Sequence, residues 1–86
     1  MPRLNPLSKR EYIKRVRNLG LEVDEARGKG GEWIVLDPRS NQSLPMPHLA
    51  PGDDVLTPYI LATMRRFNIT REQWIKAAKT KVQMKR

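Results

Sequence analysis

His48 is the side chain best suited to proton transfer at neutral pH. It is the only histidine in the sequence, and imidazole alone has an ordinary pKa near that range. It follows Pro45-Met46-Pro47 at the exit of an expected strand, where loops often carry functional groups. Glu32 is the second candidate, a carboxylate set between Gly28-Lys29-Gly30-Gly31 and an apolar run. Its plainer role is that of a charged guard at a strand end. Arg27 and Lys29 lie in the same glycine-rich stretch, where backbone N–H groups and cations together could hold a phosphate. Ordinary turn chemistry explains the glycines equally well. The stretch is not a P-loop, because it lacks the G-x-x-x-x-G-K-[ST] spacing and does not open a helix. Asp53 and Asp54 precede a helix start, where the helix dipole favours acids anyway, and form no wider carboxylate cluster. With no cysteine, disulfides, thiolate nucleophiles and cysteine metal sites are excluded. A single histidine argues against a His-based metal cluster. Neither a metal nor a cofactor is expected.

The charge distribution suggests what the protein grips. The net charge is +8 over 86 residues. Residues 1–17 contribute +5, residues 18–64 contribute −4, and residues 65–86 contribute +7. Cations concentrated at both ends attract polyanions and release counterions on binding. The candidate nucleic-acid contacts are Lys9, Arg10, Lys14, Arg17, Arg27, Lys29, Arg65, Arg66, Arg71 and Lys76. Solvated helix faces, a solubilising tail or an acidic protein partner would also account for such charge. No apolar run is long enough to span a bilayer and no signal-peptide core is present, so a cytoplasmic protein without membrane attachment is expected.

These residues must be positioned by a small set of elements. Ser8 with Glu11 reads as a capping box, and Leu7 with Tyr12 as a hydrophobic staple, opening a helix. Tyr12, Ile13, Val16 and Leu19 form its apolar stripe, Gly20 ends it, and Arg10, Lys14 and Arg17 share the opposite face. Leu21–Asp24 alternates like a half-buried strand, and Glu32–Leu36 is the strongest strand candidate. After a turn at 37–41, Gln42–Met46 returns as a shorter strand that Pro45 consigns to an edge. A loop is expected over 47–54. Thr57 then caps a second helix with Pro58 in its first turn and Ile60, Leu61, Met64 and Phe67 as its buried stripe. Asn68 closes it, and Thr70 with Gln73 opens a last helix burying Trp74, Ile75 and Ala78. The fold class is α+β, α-β-β-β-α(-α), with a three-stranded antiparallel sheet and helices packed on one face. One domain over 1–78 is expected, with a basic tail at 79–86. The final helix pair also has the lengths of a helix-turn-helix, which keeps a DNA-binding regulator as an alternative.

The ordered pattern resembles the HicA family of small toxins over roughly Ser8 to Trp74. The matching pieces begin with the helix ending Leu19-Gly20 and with Gly28-Lys29-Gly30-Gly31-Glu32 at the family's GKGSH-like motif. Trp33–Pro38 follows as strand and turn, and Leu44–His48 is similar to the family's Val-Pro-x-His strand with one extra residue. Thr57–Phe67 with Asn68-Ile69-Thr70 corresponds to the closing helix. The resemblance implies a double-stranded-RNA-binding-domain-like fold, ribosome-independent mRNA cleavage, a HicB-like antitoxin partner and a bacterial or phage setting. It also places Glu32 where the family carries its catalytic histidine, and Gly31 where a serine is common. A carboxylate can serve as a general base but is a poor replacement for a cationic imidazolium acid. The sequence therefore points to an RNA binder in which Glu32 and His48 share proton transfers or in which cleavage has been lost.

Overall fold

Local sequence signals account for most of the helix ends in the computed structural model, which describes residues 5–25, 33–49 and 52–82. Leu7–Ser8 forms β1 and Lys9–Asn18 forms α1. The Ser8 hydroxyl accepts the Glu11 backbone N–H at 3.1 Å. Only half of the expected capping box is made, because the Glu11 carboxylate turns to Lys14 and Arg15 instead. Tyr12, Val16 and Leu19 are fully buried and Ile13 partly so, as their helical spacing requires.

Gly20 ends the helix with φ at +85°. A Cβ there would also come within 2.9 Å of the Arg39 guanidinium, which donates to the Leu19 carbonyl. Gly20→Ala is therefore expected to destabilise the fold by about 1 kcal/mol or more. A urea titration with an unchanged midpoint would contradict this.

Glu22–Asp24 (β2), Trp33–Asp37 (β3) and Gln42–Met46 (β4) form an antiparallel sheet in the order β2-β3-β4. The α+β meander expected from sequence is thus present. Pro45 lies on an edge strand, where a missing N–H is tolerated. Cross-strand partners share a face. Val23, Val35 and Leu44 form one inward row, with Trp33 and Met46 beside it. On the outer face Ile34 and Leu36 lie beside Asp24 and Glu22. Asp37 is buried at the end of β3, where one carboxylate oxygen accepts the Arg39 backbone N–H at 3.0 Å.

Asp54–Val55 (β5) pairs with β1, placing Leu7 opposite Val55 and Ser8 opposite Asp54. This two-residue ladder corrects the expectation of an unbroken loop over 47–54. Thr57–Arg66 forms α2 and Arg71–Lys76 forms α3. Leu56 rather than Thr57 is the N-cap of α2, and Pro58 falls in the first turn as expected. Two buried stripes also need correction. In α2 Thr63 is buried while Leu61 is exposed, and in α3 Ala77 follows Trp74 inward while Ile75 is half-exposed. Thr70 and Gln73 complete a reciprocal capping box.

The helices meet the sheet through one aromatic cluster. Tyr12 lies edge-on to Trp33 at 5.5 Å and tilted against Trp74 at 5.8 Å. The Asn18 amide donates to the Ala77 carbonyl at 2.8 Å, and the Asn18 carbonyl accepts the Val82 N–H at the same distance. Val82 also packs against the core, so the chain remains attached beyond residue 78. Among the described residues, no helix is long and apolar enough to cross a membrane.

Candidate nucleic-acid interface

Helical spacing gathers the N-terminal cations. Arg10, Lys14 and Arg17 follow one another at i, i+4 and i+7 and must share a face. Because Tyr12, Val16 and Leu19 occupy the inward face, that stripe is turned to solvent. Lys9 and Ile13 extend it toward β2. Together these residues, with Asn18 and Glu25, line an open cleft of about 680 Å³. All four cations expected on this helix thus border one depression, whose walls include their own aliphatic stems.

The acids near this cleft determine which cations are engaged. Lys9 pairs with Glu25 at 2.8 Å, and its ammonium sits 5.0 Å from the centre of the Trp33 ring. Glu11 binds Lys14 at 3.1 Å and Arg15 at 3.2 Å. Burial alone would raise the Glu11 pKa, but the hydrogen bonds and charges of Lys14 and Arg15 outweigh it and hold the carboxyl below its usual range. Arg15 is also packed over Trp74, 5.7 Å from the ring centre, and belongs to the structural side of the helix. Arg10 and Arg17 have no acidic partner among the described residues. They are the cations most available to a ligand.

The C-terminal cations do not join this cleft. Arg65 and Arg66 are exposed and border a second one, of about 450 Å³, with Gln42, Leu44 and Ala62. Arg71 is exposed at the start of α3 but already engaged within the chain. Lys76 is exposed at the end of the same helix. Arg27, Lys29 and Glu32 fall outside the described residues.

His48 is exposed on the segment after β4. It borders a shallow cleft of about 320 Å³ with Asp53, Asp54, Leu56 and Tyr59. Asp54 is held there by its pairing with Ser8, the residue that caps α1. The Trp33 indole N–H donates to the Pro47 carbonyl at 2.8 Å, tying the chain just before His48 to the core. Trp33 therefore touches both the Lys9 end of the α1 cleft and the approach to His48. Sequence reasoning gave this tryptophan no role beyond strand formation. Its place within the strongest strand candidate, Glu32–Leu36, was the available signal. Among the described residues, no group of three or more His, Cys, Asp and Glu side chains is placed to hold a metal ion.

No protein-family model, characterised protein or solved structure matches the chain.

Proposed function

We propose that this protein binds RNA through the cleft along α1, as a HicA-like protein derived from a toxin and lacking efficient cleavage. The observation that carries the reading is the convergence of Lys9, Arg10, Lys14 and Arg17 on one open cleft, with Arg10 and Arg17 lacking acidic partners among the described residues. Arginine forks suit phosphate oxygens, and an exposed helix face brings them to a backbone at little conformational cost. Within the fold, the run α1-β2-β3-β4-α2 supports RNA over DNA, because it agrees with the fold implied by the HicA resemblance. The short α3, six residues long and anchored by Trp74, is a poor recognition helix for a DNA major groove. A HicB-like antitoxin is the protein partner this reading implies.

The expected signature is electrostatic. Three to four phosphate contacts on a single strand give a log K against log salt slope of roughly −2 to −3. In fluorescence anisotropy with labelled single-stranded RNA, R10Q/R17Q should weaken binding and reduce the slope by about 1.4. A flat slope for the wild-type protein would remove the proposal's physical basis.

Loss of cleavage is what the HicA resemblance implies, since it aligns Glu32 with the family's catalytic histidine. Wild type, Glu32→Ala and His48→Ala are expected to leave labelled RNA at the same background rate of breakage. Cleavage above background that disappears with either substitution would restore a nuclease role.

A further inference from the structure

We infer that Arg65, Arg66 and Gln42 form a second phosphate-binding cleft, and that the protein uses its two clefts to bridge separate RNA segments. The inference rests on the RNA-binding reading of the α1 cleft and extends it to a second activity.

The second cleft has the chemistry of a phosphate clamp. Two exposed arginines at the end of α2 meet Gln42 at the start of β4, and among the described residues no acidic side chain lines the depression. Neither arginine has an acidic partner among the described residues. The guanidinium groups offer paired donors, and the Gln42 amide adds a neutral one. Cations at a helix C-terminus are favoured by the dipole alone. The dipole does not account for the convergence of both arginines with the Gln42 amide on one cleft.

Topology separates this cleft from the first. The α1 cleft reaches Glu25, just beyond β2, whereas the second is walled by Gln42 and Leu44 of β4. In the order β2-β3-β4 those strands are opposite edges of the sheet. Two cationic clefts at opposite edges of one sheet favour two polyanions over one.

The test uses the full chain and two short, non-complementary oligoribonucleotides, one fixed to beads and one fluorescent in solution. Wild-type protein should carry the fluorescent strand onto the beads. R65Q/R66Q should reduce this co-capture by about tenfold while still binding one strand in anisotropy, because only the second set of phosphate contacts is lost. R10Q/R17Q should reduce both signals. The substituted arginines are exposed, and unchanged thermal melting will show that the fold is retained. Equal co-capture by wild type and R65Q/R66Q would overturn the inference, since bridging would then come from self-association. Strong single-strand binding without co-capture would also overturn it, leaving the α1 reading intact. Failure of wild type to bind a single strand would overturn both.

Discussion

Trp33→Ala is expected to cost about 3–5 kcal/mol, the range for removing a large aromatic side chain from a packed core. Trp33 is fully buried, lies edge-on to Tyr12 at 5.5 Å and donates its indole N–H to Pro47 at 2.8 Å. At roughly 0.05–0.15 kcal/mol per residue, a domain of this size has only about 4–13 kcal/mol of stability to lose. The variant should therefore be partly or largely unfolded at physiological temperature. Urea unfolding followed by circular dichroism measures the loss. Trp33→Phe separates packing from hydrogen bonding, since it keeps most of the ring contact but leaves the Pro47 carbonyl unpaired. Its expected cost is smaller, about 1–3 kcal/mol. A midpoint for Trp33→Ala within error of wild type would contradict the central place assigned to this residue.

Alkaline pH should weaken the fold through one buried phenol. Burial pushes the Tyr12 pKa up to about 12. Its hydroxyl lies 2.6 Å from Thr63 Oγ1, and the Thr63 hydroxyl donates to the Tyr59 carbonyl. Either oxygen can donate in the shared bond, and the Tyr12 hydroxyl also lies 4.0 Å from Met46 Sδ. Ionisation would leave a buried negative charge, a cost that the Thr63 hydrogen bond lowers but does not offset. The folded state thus binds the phenolic proton more tightly than the unfolded chain, whose tyrosine titrates near 10. The stabilisation is fully present below pH ~10 and is lost as pH rises toward 12, with a total of roughly 3 kcal/mol. Urea midpoints across this window should fall for wild type. Tyr12→Phe should remove most of that pH dependence while costing about 1 kcal/mol at neutral pH. An identical alkaline decline in the two proteins would show that other groups control it.

Local chemistry made much of the basic α1 face legible in advance. A capping serine, an apolar stripe and a terminal glycine define the helix, and helical geometry alone puts Arg10, Lys14 and Arg17 on one face. The sheet was also readable, because Trp33–Asp37 is rich in residues that suit a pleated, half-buried surface and Pro45 marks an edge. The α2 stripe was less so. Ile60, Leu61, Met64 and Phe67 leave more than one inward face available, and Thr63 takes its place in the core because its hydroxyl meets that of Tyr12. The β1–β5 ladder was hidden for another reason: two residues on each side are too few to show alternation.

What the sequence determined by itself is the three helices, the three-stranded meander, the outward basic face of α1 and the excess of positive charge at the two ends. These depend on contacts within a few residues, so their periodicity is written along the chain. Only the tertiary structure decided how those charges are divided. The strand order put the α1 cations and Arg65 with Arg66 at opposite sheet edges, although both sets appear in the sequence simply as basic helix ends. It also set His48 beside Asp53, Asp54 and Tyr59, and made Trp33 the link between Lys9 and Pro47. Such neighbours are chosen by packing against a shared core, a non-local condition that no spacing along the chain records.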